Sequence, residues 1–594
     1  MTIKKILCAV LAIAMLGLCA CTDLPPAETT EPATTAPEAT PEVTPAVTPE
    51  STPGSTPESV PETIPAVTPE STLESTPDSA PESTPEESAP ETTPPEETAP
   101  PTPVVMTMSY DDYLTDINGI SADSADVKIE GSCLEIKTTK GLKYFYACGV
   151  GTATVTEGNN TVIVTVNKAK INIVVVMGQS NSGNHFANAT SDITCPLGTA
   201  YWWGNGIGTA ATAPVNFTQA TKGFHSTLLA ELYAQSVKHG DPVKNVLVWH
   251  EGGGQEGDGT SKNGSRIYGW AKSATDASGT DYTVQMVNNC VNYYTAHSDK
   301  YEIVSKGAYW LQGEGDGGWG IPTDEYIGCF MAMWNKLKSE AGLEYMAIMR
   351  VRCGGGGEYN NDIDYTTVVA AQFTLANQNP DIYMATTITE NFIGKADVEI
   401  SIDISNYITM MEKYSSKESH TDSYGNTATY KDGILTTPMK TLFGSNNNNH
   451  YGKFGYTIIA VDAARNMYEA LNGVHGDSDE AYVGMVFANT SGAADEANRI
   501  VTDGGEAVEI DITSITKNIR IYAAPGSVGG TVSIKVENGD TDVTDDILMD
   551  QTGINNNCLY VRGIKKLGSA KVTVTYTLVD GTVETVIYNL TYNS

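Results

Sequence analysis

The run Ile171-Asn172-Ile173-Val174-Val175-Val176-Met177-Gly178-Gln179-Ser180-Asn181 decides the fold class. Asn172 apart, the first seven residues are apolar and mostly β-branched, as in a strand buried on both faces. Gly-Gln-Ser-Asn then supplies turn chemistry and ends the strand. Working outward, apolar runs recur at residues 246–249, 308–311, 345–349 and 382–388. Helical periodicity fills 227–237, 282–294, 324–341, 366–377 and 455–471. This alternation predicts an α/β domain over residues 169–473, with a parallel sheet covered by helices on both faces. Ligands of such sheets sit at the carboxyl ends of the strands. Ser180 falls at that edge, at a strand-to-helix turn where backbone N–H groups can meet an oxyanion.

The flanks are of other kinds. A chain of 594 residues is too long for one core. Residues 1–21 read as a targeting signal: Lys4 and Lys5, then an apolar run over 6–18 that is shorter than the ~20 residues needed to span a bilayer. The run ends in Leu18-Cys19-Ala20-Cys21, which resembles the lipobox of bacterial lipoproteins and implies lipidation of Cys21. Residues 22–103 repeat Pro, Thr, Glu and Ser with little apolar surface to bury, so they predict an extended, disordered stalk. Residues 104–168 alternate as strands do, and Gly149-Val150-Gly151-Thr152-Ala153-Thr154-Val155-Thr156 resembles bacterial immunoglobulin-like modules; a small β spacer is expected there. Residues 474–594 return to strand-and-turn patterning and predict a C-terminal β-sandwich, either a carbohydrate binder or a packing module.

Charge narrows the function classes. The formal net charge is -37, and seventeen of the acidic residues lie between Asp23 and Glu97, a stretch without Lys or Arg. This argues against a nucleic-acid partner, which needs a basic footprint. Beyond the signal, seven cysteines are scattered from Cys133 to Cys558 without a C-x-x-C pair, so no zinc site or disulfide framework is legible. Cys133 and Cys148 are candidates for pairing, against free thiols. No metal or cofactor is expected.

Three separated blocks carry the chemistry. Met177-Gly178-Gln179-Ser180-Asn181 is the first, Trp310-Leu311-Gln312-Gly313-Glu314-Gly315-Asp316 ends a later strand, and His450 precedes the last helix. Together they resemble the SGNH hydrolases, in the branch similar to sialic-acid O-acetylesterases. Gly252-Gly253-Gly254, Trp270 and Ala371-Gln372 fit the same resemblance more weakly. The adjacent letters of Ser182-Gly183-Asn184-His185 are coincidence, because the family's letters name residues in four separate blocks.

The resemblance implies a flavodoxin-like sheet and a serine esterase acting on O-acetyl or similar small acyl esters of carbohydrate. Ser180 is then the nucleophile and His450 the base, with an oxyanion held by the Ser180 N–H, Gly253 and Gln312. Gln179, Asn181, Glu314, Asp316, His250 and Trp202 are the expected pocket residues, Trp202 as a sugar-stacking ring or else as core. The family's acid, three residues before the histidine, is here Asn447. A Ser-His-Asn arrangement, a dyad with an acid from elsewhere, and a weakened enzyme all stay open, and a non-catalytic glycan-binding surface protein is the rival. The expected setting is extracellular, lipid-anchored to the bacterial membrane, with an acetylated glycan as partner and the oligomeric state open.

Overall fold

The computed structural model describes residues 103–183, 191–204, 212–251, 266–271, 279–352, 354–355, 363–392, 399–421, 427–444, 447–473 and, beyond these, the strands of the C-terminal region with a few residues flanking them. Two compact units divide the chain, residues 1–97 and 98–594. The first, with Cys21, lies outside the described residues.

The centre of the second unit is a seven-stranded sheet: β1 (Ala169–Gly178), β2 (Ala200–Trp203), β3 (Val215–Asn216), β4 (Lys244–Glu251), β5 (Tyr301–Leu311), β6 (Tyr345–Met349) and β7 (Ile382–Thr386). Their spatial order is β3-β2-β4-β1-β5-β6-β7, parallel throughout except for the edge strand β3. The helices are α1 (His225–Lys238), α2 (Ile267–Ala271), α3 (Thr280–Ala296), α4 (Glu314–Gly318), α5 (Thr323–Lys336), α6 (Thr366–Gln378), α7 (Ile408–Tyr414) and α8 (Lys453–Asn472).

Strand β1 shows why its sequence is almost continuously apolar. Ile171, Ile173, Val175 and Met177 enter one core, with Val287 of α3, Phe330 of α5 and Val369 of α6. Val174 and Val176 enter a second core, with Leu228 of α1 and Ile458 of α8. A strand with helices on both faces has no side left for polar alternation. The chain moves from β1 out to β2 and β3, returns to β4, then crosses β1 to β5. The direction of winding therefore reverses at β1, and a crevice opens beyond its carboxyl end.

Two expectations need correcting. Residues 382–388 are not all strand: β7 stops at Thr386, whose Oγ1 accepts the Ile388 N–H at 3.1 Å and turns the chain into a 3-10 segment, Ile388–Asn391. The apolar runs are also not the whole sheet, because the short β2 and β3 lie between the 171–177 and 246–249 runs. A further antiparallel sheet of Glu399–Asp403, Ser419–Thr421, Thr427–Lys431 and Ile434–Pro438 is inserted before α8.

The small β module has a four-stranded, a three-stranded and a two-stranded sheet around one core that includes Met108, Leu134, Phe145, Val155 and Val164. Only Lys168 separates its last strand, Asn160–Asn167, from β1. It is keyed onto the α/β body. Buried Tyr201 donates to Asp111, and buried Lys244 sits 2.6 Å from both the Asp112 carboxylate and the Gly198 carbonyl. Tyr110 meets Tyr301 edge-on at 5.2 Å. These anchors lie at or next to the amino-terminal ends of β2, β4 and β5, so the module closes the end of the sheet opposite Ser180. A spacer would not need them. Cys133 and Cys148 are both free thiols. In the C-terminal region the described strands form a four-stranded and a five-stranded sheet.

Candidate active site

Ser180 opens a single 3-10 turn, Ser180–Ser182, directly after β1. Ser182 N–H donates to the Gln179 carbonyl at 2.7 Å, and the Ser182 hydroxyl donates to the same oxygen at 2.7 Å. Gly178 makes the turn possible: its φ is +147°, and a Cβ there would lie 2.1 Å from the Leu311 carbonyl oxygen. The Gly178 backbone therefore packs directly on the end of β5, which brings the first and third sequence blocks together.

His450 arrives from the far end of the α/β region, in the strand Asn447–Tyr451 just before α8. Its Nε2 lies 3.0 Å from Ser180 Oγ, and both side chains are half-buried. This is hydrogen-bond distance for a nucleophile and its base.

The remaining motif residues build a rigid frame around that pair. Gln179 is buried, and its Oε1 accepts the Gly313 and Gly315 N–H groups at 3.2 and 3.3 Å. Asn181 is held at both ends of its amide: Nδ2 donates to Glu314 Oε1 at 2.7 Å, and Oδ1 accepts from the Tyr456 hydroxyl at 2.8 Å. Gln312 is fully buried; its Nε2 donates to Asp316, and its Oε1 accepts from the Tyr326 hydroxyl at 2.9 Å. Gln372 bridges two strand ends, donating to the Gln312 carbonyl at 2.9 Å and accepting the Val351 N–H at 3.1 Å. Gly313, with φ +140°, allows the close turn after β5; a Cβ there would meet Val368 Cγ1 at 2.5 Å.

The structure thus gathers Ser180, His450, Gln179, Asn181, Gln312, Glu314 and Asp316 through an unbroken set of contacts. His250 is buried at the end of β4, bonded through Nδ1 to Thr283 Oγ1 at 2.6 Å and packed edge-on against Trp270 and Tyr282. Trp202 lies within β2, half-buried against the second core. No described contact joins Trp202 to Ser180. The side chain of Asn447, Gly253 and His185 lie outside the described residues. Among those described, no group of three or more metal-binding side chains occurs.

Arg352 escaped the sequence reading. It follows β6, is fully buried, and holds its guanidinium 4.8 Å from the centre of the Phe443 ring. Glu314 is buried beside it. Desolvation raises the Glu314 carboxyl above its usual range, while the Asn181 hydrogen bond and the Arg352 charge pull the other way. Arg350-Val351-Arg352 after an apolar run matches no catalytic motif; only the fold shows what Arg352 faces.

Burial also pushes Asp316 from 3.8 up to about 6, against hydrogen bonds from Gln312 and the Ile267 N–H. For an acid raised on folding, the stabilisation is complete below the unfolded value and is lost as pH rises through the folded one. A shift of about two units corresponds to roughly 3 kcal/mol. Asp316→Asn should therefore gain on wild type by about that amount between pH 4 and pH 7, read as paired denaturation curves. A stability difference that is constant over this range would show that Asp316 does not titrate there.

No family model and no curated protein matches this chain. Among solved structures, that of NanS is 12% identical with a TM-score of 0.29, over 52% of this chain and 99% of NanS. That of a catalytically inactive OgpA from Akkermansia muciniphila, bound to an O-glycopeptide, is 9% identical with a TM-score of 0.12, over 72% and 94%. A nucleoside hydrolase-related protein from Saccharophagus degradans is 11% identical with a TM-score of 0.14, over 72% and 100%. At such scores these likenesses carry no weight for function.

Proposed function

We propose that residues 169–473 form an SGNH-type serine esterase that removes O-acetyl or similar small acyl groups from carbohydrate. The observation that carries this reading is the 3.0 Å approach of His450 Nε2 to Ser180 Oγ at the point where the sheet's winding reverses. Ser180 attacks the ester carbonyl as His450 takes its proton. His450 then returns that proton to the departing sugar hydroxyl, leaving an acyl-enzyme. Water, deprotonated by the same histidine, releases acetate and regenerates the serine. The tetrahedral oxyanion is assigned to the Ser180 N–H, Gln312 and a glycine at or beside position 253. Loss of one such donor typically costs roughly 2.7–4 kcal/mol of transition-state stabilisation. Glu314 and Asp316 act through Asn181 and Gln312, holding the frame. The reaction needs no cofactor.

Acetate release from a panel of acetylated sialosides, xylan, pectin and mucin glycans tests the reading. Wild type should release acetate from at least one member, and Ser180→Ala from none. Silence of wild type across the panel would favour the glycan-binding alternative, for which the Asn446-Asn447-Asn448-Asn449 run in place of the family's acid is the motive.

From the lipobox-like sequence we further propose that this activity is extracellular and lipid-anchored to the bacterial membrane, on a stalk of residues 22–103. With Cys21→Ala the protein should appear in the medium; retention of that variant in the membrane fraction would remove the anchor from the account.

A further inference from the structure

Trp319 is 71% exposed, more than any other large hydrophobic side chain among the described residues, and the rest of that exposed set is aliphatic. It caps α4, the helix that begins at Glu314 and contains Asp316. It stands five positions after Glu314, about 7.5 Å at helical rise, and Glu314 bonds Asn181, the neighbour of Ser180. Trp319 thus ends the short helix whose first residue, Glu314, belongs to the frame around Ser180.

Its ring is not loose. The Arg266 guanidinium lies 4.4 Å from the ring centre, a cation–π contact that occupies one face of the indole. Arg266 is itself positioned by the next residue, Ile267, whose N–H donates to Asp316 Oδ2 at 2.9 Å. Trp319 N–H donates to the Asp316 carbonyl at 3.2 Å. One acidic residue of the third block thus sets both halves of the Arg-Trp pair. What remains is one exposed aromatic face, fixed in orientation, at the end of the helix that begins with Glu314.

We infer that this face of Trp319 is a stacking platform for a pyranose ring of the acylated glycan, with Arg266 clamping the opposite face. The inference rests on the proposed glycan esterase and names the part that selects its substrate. A pyranose presents one face of axial C–H groups, apolar and slightly positive, which complements the negative face of an indole. Its hydroxyl groups stay in water at the rim. An ester without a sugar cannot use the platform.

Two measurements test this on the full-length protein. Trp319→Ala should raise KM about tenfold on the best acetylated oligosaccharide of the panel, with kcat within about twofold. The loss in kcat/KM should be several-fold larger there than on 4-nitrophenyl acetate, and Trp319→Phe, which keeps a ring, should recover most of it. Equal losses on both substrates, or a phenylalanine variant no better than alanine, would overturn the platform while leaving the esterase intact. Calorimetry with the deacetylated oligosaccharide needs no turnover; it should show binding about tenfold weaker in Trp319→Ala. If wild type and variant bind alike, or neither binds, Trp319 serves another contact and the inference fails, whatever becomes of the esterase reading.

Discussion

Ser180→Ala is expected to lower kcat on an activated acetate ester by roughly 10⁴- to 10⁶-fold. The methyl group fills the place of Cβ and removes only the oxygen that lies 3.0 Å from His450. The frame depends on Gln179, Asn181 and Gln312, so it should stay intact and the melting temperature should move little. His450→Ala should cost a comparable amount, since a hydroxyl without its base is a poor nucleophile at neutral pH. The double variant is the informative one. Residues acting as one unit are far from additive, so it should be scarcely slower than either single variant. Multiplying losses would mean that the two side chains serve separate steps.

Gly178→Ala should damage both stability and rate. The added methyl meets the Leu311 carbonyl at 2.1 Å, and a φ of +147° is already costly for any residue with a Cβ. Backbone must move, because the obstructing atom cannot rotate away. Where β1 leans on β5, a shift opens the seam that carries both Ser180 and Gln312. A loss of about 4 kcal/mol fits other cases of strain at a special backbone position. If the protein still folds, displacement of Ser180 by about 1 Å would lower kcat roughly 10²-fold. A variant with wild-type melting temperature and wild-type rate would show that the turn is not built as described.

What was legible in the sequence follows the physics of each element. The central strands announce themselves because burial on both faces demands long apolar runs, as in Val174, Val175 and Val176. The Ser180 and Gln312 blocks were legible because turn chemistry follows those runs directly. β2 was not, since Ala200–Trp203 is only four residues and its aromatic run reads equally as a surface or a core. The docking of the β module was illegible for another reason. Asp111, Asp112, Tyr201 and Lys244 are ordinary residues whose meaning comes from pairing across up to 132 positions. Arg352 and Trp319 belong to this second kind: neither sits in a legible motif, and only the fold sets Arg352 beside Glu314 and Trp319 against Arg266.

The central claim is that Ser180 is an activated nucleophile, and covalent labelling tests it most directly. A fluorophosphonate probe incubated with wild type should form one adduct, mapped by mass spectrometry to the peptide carrying Ser180. Labelling should vanish in Ser180→Ala and fall sharply in His450→Ala. An adduct on another residue, or equal labelling of wild type and Ser180→Ala, would contradict the account.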